Sequence, residues 1–157
     1  MLKFYIASSI GEAGSTRRKI SEKVRKLLEQ KGEVYAPWKY KIPNAWDYSN
    51  TEWGLMVFTN DVHAIDTCDW VIVISYGRKE TTAGTAWEAG YAFAKGKKVL
   101  VVELDAELRL ENKSYQKPAV QSLMMSNGCF ASVRGFNGLR KYDFTAPREV
   151  RTVTEQK

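Results

Sequence analysis

The stretch GTAWEAGYA, residues 84–92, sets one carboxylate, Glu88, in the middle of an otherwise uncharged run. Two chemistries compete for it. Thr85-Ala86-Trp87-Glu88 has the spacing of a capping box, in which a threonine side chain and a glutamate three residues on satisfy each other's backbone N–H groups. The alternative is a nucleophile. A glutamate in the first turn of a helix lies at the positive end of the macrodipole, which favours the ionised form that attack requires. Its neighbours Thr85, Ala86, Trp87 and Ala89 are small or apolar and leave the charge poorly hydrated.

A second acid, Asp61, is one of three aspartates in nine residues of NDVHAIDTCD. It reads either as a surface acid or as a partner for Glu88. Phe58, Val62 and Ile65 recur at helical period and mark a stripe expected to be buried, and Asp61 falls beside that stripe, toward the mouth of a crevice. Tyr5, inside an apolar run, either fills the core or offers its hydroxyl to a carboxylate, because a buried phenol needs a partner. Two carboxylates and a phenol brought together can do nucleophilic and general acid–base work. Metal chemistry is not expected. His63 is the sole histidine and reads as a partly exposed helix residue, while Cys68 and Cys129 lack ligand spacing and read as buried small hydrophobes.

Short β-branched and aromatic runs alternate with longer stretches of helical period, the pattern of a parallel sheet with helices on its faces. FYIAS (4–8) reads as the first strand. Ile20, Val24, Leu27 and Leu28 line a helix that Gly32 closes, and VYAP (34–37) is a short second strand. Residues 38–53, aromatic and without period, read as a loop, followed by a helix through about residue 67. WVIVIS (70–75) is a continuous apolar run suited to a strand buried on both faces. After the loop YGRKETTAG come a helix ended by Gly96, a strand at KVLVVEL (98–104), a polar insertion at 105–119 and a last strand near CFASV (129–133). Ligands of such sheets bind beyond the carboxyl ends of the strands, so Ser8, Ser9 and Gly11, then Tyr76 and the Thr-rich loop, then Ser132 and Arg134 draw notice.

With 157 residues and 44% hydrophobic content the chain has enough for one core, and we read a single domain over 1–157 with residues 145–157 loosely held. No run is apolar enough for a membrane helix and MLKFYIASS lacks the signal-peptide pattern, so a cytoplasmic protein is expected. The net charge of +6 favours anionic partners. Much of it sits on residues 17–31, more simply the solvated face of an amphipathic helix, and no nucleic-acid-binding signature accompanies it.

These residues resemble the nucleoside 2-deoxyribosyltransferases and their relatives, the N-hydrolases of 2'-deoxynucleoside 5'-monophosphates. The likeness runs from KFYIASSI through NDVHAIDTCDWVIVIS and GTAWEAGYAFAKGKKVL to SLMMSNGCFASV, and GTAWEAGYA is its most specific piece. It implies a flavodoxin-like, doubly wound α/β fold of about five mainly parallel strands, with a site completed by a neighbouring subunit of a homo-oligomer. It implies Glu88 as nucleophile, Tyr5 as the residue orienting it and Asp61 as the site aspartate. Ser9, Thr82 and Gly84 would contact substrate, and the residue reaching in from the next protomer falls near Asn127 or Ser132. Many of the transferases carry a second aspartate six residues before the glutamate, where this chain has Thr82. That hydroxyl, with Ser9 and Ser132, is similar to the monophosphate hydrolases, whose arginine two residues beyond the serine is Gly11 here. Arg17 or Arg18 could supply the charge.

The resemblance implies no metal or organic cofactor, and as partners a nucleoside or nucleotide and a free nucleobase. The expected reaction is double displacement through a covalent deoxyribosyl-glutamate ester, with Asp61 moving the base's proton and Trp38, Trp46 and Trp53 as a cover against water. Two alternatives stand beside it: an N-glycoside hydrolase of nucleoside 5'-monophosphates, and a non-catalytic nucleotide-binding module in which Glu88 is only the capping-box partner.

Overall fold

The run WVIVIS forms β3 (Trp70–Ser75), and all six residues are buried, as a strand sandwiched between helix layers requires. In the computed structural model, which describes residues 1–111 and 121–148, β3 is the centre of a five-stranded sheet. The other strands are β1 (Leu2–Ala7), β2 (Gly32–Tyr35), β4 (Lys98–Glu103) and β5 (Ala131–Arg134), in the order β2-β1-β3-β4-β5. Every pairing is parallel. The helices are α1 (Thr16–Glu29), α2 (Asn50–Thr67), α3 (Ala83–Ala94), α4 (Asp105–Glu111), α5 (Leu123–Gly128) and α6 (Gly135–Lys141). This is the expected doubly wound α/β architecture, and its strand order reverses between β1 and β3.

Alternation along the strands divides the interior into two cores. Phe4, Ile6, Ile72 and Leu100 face Val24 and Leu28 of α1 and Leu139 of α6. Tyr5, Ala7, Val71 and Val73 face the other way, onto Ile65 of α2 and Ala89 and Ala92 of α3. Tyr5 therefore lies on the face where α2 and α3 pack. The two helices are tied together at the amino-terminal end of the sheet. The Tyr91 hydroxyl donates to Asp66 Oδ1 (2.8 Å), and Lys97 Nζ donates to the Asp66 and Cys68 carbonyls (2.7 and 3.0 Å).

Several expected boundaries shift. Gly32 does not close α1, which ends at Glu29 with Gln30 as its cap. It opens β2, where a Cβ would lie 2.2 Å from the Leu2 carbonyl oxygen, so the β1–β2 pairing demands glycine. Gly96 does end α3: at φ +71° its N–H bonds the Phe93 carbonyl while the Lys97 N–H bonds that of Ala92, a Schellman stop. The aromatic loop ends earlier than expected, because Ser49 and Glu52 form a reciprocal capping box that starts α2. Part of the polar insertion is helical, as α4, because Asp105 and Glu107 suit a first helical turn. Residues 112–119 lie outside the described residues, as do residues 149–157 of the tail. Of the rest of that tail, Thr145 bonds Asp143 (2.6 Å) and Arg148 reaches the Cys129 carbonyl (3.4 Å). No helix among the described residues is long and apolar enough to cross a membrane.

Gly32→Ala should push Leu2 and β2 apart and cost about 1–3 kcal/mol, the usual range for forcing an atom into filled space; urea unfolding would show it as a lowered midpoint at unchanged slope.

Candidate active site

The strand reversal opens a crevice beyond the carboxyl ends of β1 and β3, and α2 and α3 wall it on the Tyr5 face. A cleft of about 400 Å³ runs between these helices, lined by Phe58, Asp61, Ile65, Gly84, Trp87 and Glu88. Asp61 and Glu88 are both partly buried, and Tyr5 is wholly buried beneath them. The structure thus brings four of the anticipated residues together: Glu88, Asp61, Tyr5 and Gly84.

The capping-box reading of Glu88 fails. Thr82 is the N-cap of α3, and its hydroxyl accepts from the Thr85 N–H at 3.3 Å. Glu88 is consequently in the second turn, one turn too late to cap. The macrodipole argument weakens for the same reason, since that effect fades within the first turn. The carboxyl is in fact pushed up to about 7, chiefly by burial; the Tyr5 hydroxyl opposes the shift and Asp61 adds to it. Tyr5 Oη and Glu88 Oε2 are shut off from solvent and complete no hydrogen bond of ordinary geometry. The Tyr5 phenol is itself held neutral by burial and by the two carboxylates facing it.

Asp61 is raised above the usual carboxylate range by burial, against the Tyr35 hydroxyl, which donates to Oδ1 at 3.1 Å. The stripe beside it is narrower than anticipated: Phe58 is half exposed and Ile65 buried. The other two aspartates of the segment have structural work. Asp66 pairs with Tyr91 and Lys95, and Asp69 accepts from the Lys3 backbone N–H (2.8 Å). Tyr35 was not singled out in the sequence, although it ends β2 in register with Tyr5 on β1. Two tyrosines at matching positions of adjacent parallel strands were the signal.

The remaining candidates lie apart. Ser9 follows β1 and accepts from Arg17 Nη1 at 3.2 Å; Arg17 also pairs with Glu80 and lies 4.7 Å over the Tyr76 ring. Of the two arginines considered, Arg17 is the one brought to the β1 loop by these contacts. Thr82 and Asn127 line a different groove, of about 570 Å³, between α3 and α5, and Asn127 bonds the Leu123 carbonyl of its own helix (2.8 Å). Ser132 is exposed on the edge strand β5, three strands from Tyr5. The tryptophans do not cover the cleft as a group. Trp38 packs against the core on the opposite face of the sheet, its indole N–H on Glu22, and Trp46 is 99% exposed. Trp53 belongs to α2. Phe58 and Trp87, 5.5 Å apart, form the aromatic wall instead. Cys68 and Cys129 are buried, as expected of small hydrophobes. His63 is exposed on α2, and no three metal-ligating side chains converge among the described residues.

The model of one protein family, nucleoside 2-deoxyribosyltransferase, matches residues 4–132, which includes both carboxylates and Tyr5. The chain belongs to the nucleoside 2-deoxyribosyltransferase family. Among solved structures, a 2-deoxyribosyltransferase of Bacillus psychrosaccharolyticus is 25% identical, with 96% of this chain and 99% of that one covered at a TM-score of 0.77. A conserved protein of Enterococcus faecalis V583 is 18% identical over 90% and 96% of the two chains, with a TM-score of 0.60. A CMP N-glycosidase of Clostridium botulinum is 17% identical over 89% and 94%, with a TM-score of 0.50. The latter two likenesses are of fold. No curated protein sequence matches this one.

Within this family member, the raised Glu88 carboxyl has a consequence for stability. Between the ordinary value of 4.5 and about 7 the unfolded chain releases its proton while the folded chain keeps it, so stability falls as pH rises through that window. Glu88→Gln should therefore be more stable than the parent at pH 8, by about 1–3 kcal/mol at roughly 1.4 kcal/mol per pH unit, and nearly equal to it at pH 4.5; urea unfolding at the two pH values measures the difference.

Proposed function

We propose that the protein exchanges the base of a 2'-deoxyribonucleoside by double displacement, with Glu88 as nucleophile. The observation that carries this reading is the Glu88 carboxyl: it caps nothing, it faces the Tyr5 hydroxyl, and it lines a cleft beside a second raised carboxyl. Its value near 7 leaves a substantial anionic fraction at neutral pH. Family membership and the likeness to the Bacillus enzyme support the same chemistry.

In the first step a Glu88 oxygen bonds to C1' as the C1'–N bond breaks. The bonding pair leaves with the base, whose nitrogen takes a proton from Asp61. In the second step a nitrogen of the incoming base bonds to C1', the ester oxygen departs with its pair and regenerates the Glu88 carboxylate, and Asp61 takes the proton that the base sheds. Two inversions give retention. Asp61 suits the acid–base role because burial raises it toward working pH. Tyr5, neutral and directed at Glu88, holds the carboxylate in line. Phe58 and Trp87 offer flat apolar surface to a base or sugar, and no cofactor is required.

A second reading, hydrolysis of nucleoside 5'-monophosphates, draws on the β1 loop. Ser9 and Arg17 there present a hydroxyl and a cation to a 5'-phosphate, although Glu80 now neutralises the arginine. The site is further proposed to be shared in a homo-oligomer. Phe93 and Met124 lie 60% and 84% exposed along the groove that holds Thr82 and Asn127. In one copy Asn127 and Ser132 stand away from the Glu88 cleft, so either would act on a neighbour's. Phe93→Asp should shift the species seen by light scattering toward monomer and lower activity with it.

Incubation of a deoxynucleoside, or its monophosphate, with and without a second free base separates the readings by chromatography. A new nucleoside is expected; free deoxyribose phosphate alone would favour the hydrolase. Glu88→Gln should lower turnover by at least ~10³-fold, and a variant with parental turnover would remove Glu88 as nucleophile.

A further inference from the structure

We infer that Tyr35 is a positioning residue for the reaction, fixing Asp61 through its hydroxyl while its ring is held between two others. This rests on the proposed role of Asp61. Tyr35 closes β2 beside Tyr5 on β1, and the Tyr5 and Tyr35 rings stack at 5.6 Å and 11°. On its other side lies the Tyr40 ring at 4.2 Å and 6°, supplied by the segment between β2 and α2. Stacking on both faces leaves the Tyr35 phenol little rotational freedom, and its one donor is spent on Asp61 Oδ1 at 3.1 Å. Tyr5, with no such bond, faces Glu88. Adjacent strands thus assign one phenol to each carboxylate.

The groups facing Asp61 are Glu88 from α3, Tyr5 from β1 and Tyr35 from β2. None is a cation. The Tyr35 hydroxyl is therefore what favours the Asp61 anion against burial. The Asp61 charge in turn adds to the upward shift of Glu88. Donation to Asp61 lowers its titration, and removing the donor raises it. Tyr40 acts one ring further out, by pressing Tyr35 into place.

The test is Tyr35→Phe, which keeps the stack and deletes the donor. Carbon-13 NMR of the Asp61 carboxyl, without substrate, should show its titration moved up by about one pH unit, the ~1.4 kcal/mol of a modest hydrogen bond to a charged group. The pH profile of kcat/KM should move one limb upward by the same amount. In an Asp61→Asn background, Tyr35→Phe should change turnover less than twofold. An unmoved carboxyl titration, or an effect on turnover equally large in the Asp61→Asn background, would overturn the inference. The NMR arm needs no turnover, so a shifted Asp61 in a protein that exchanges no bases would sink the proposed reaction and leave Tyr35 in its place.

Discussion

The site depends on two carboxyls being withdrawn from water with no cation beside them among the described residues. Ionised side chains in such surroundings are expensive unless paired, and the usual outcome is a raised pKa. Here burial is the leading cause at both Asp61 and Glu88. Everything nearby concerns the terms of that burial: neutral phenols that donate without adding charge, small residues that let α3 approach the sheet, and an apolar wall from Phe58 and Trp87. A lysine or arginine in the cleft would pair with Glu88 and hold it ionised well below neutral pH. Phenols support the anion without a countercharge.

The fold places these groups with little machinery. A parallel order that reverses between β1 and β3 leaves the ends of those strands uncovered. Tyr5 lies on β1, Tyr35 ends β2 in register with it, and the two helices flanking β3 contribute one acid each. Thr82 contributes indirectly. By capping α3 it fixes the helix start, and with it the turn on which Glu88 falls.

Much of this was legible in the sequence, and the exceptions have physical reasons. WVIVIS and KVLVVEL announced buried parallel strands because a strand between two helix layers is a near-continuous apolar run rich in β-branched side chains. The trio of Tyr5, Asp61 and Glu88 was readable from residue type and from the motif around Glu88. The start of α3 was misplaced, because Thr82 and Thr85 are both competent caps and spacing alone does not choose. Glu88 was consequently expected to be ionised by a helix end, whereas desolvation sets its charge; burial depth is a property of three dimensions. Tyr35 was missed because its partner lies across the fold, 26 residues away. The tryptophans misled for the opposite reason. Closeness in sequence suggested one shared role, and the chain sends Trp38 and Trp53 to different faces of the sheet.

The bonds from Tyr91 and Lys97 to the last turn of α2 have a mechanical meaning. They rivet the helix pair at the foot of the sheet, whereas the carboxylate end is bridged mainly by aromatic contact. Any parting of α2 and α3 would pivot near Asp66 and be widest toward Ala83, the far end of α3, with Glu88 only one turn from the Tyr91 bond.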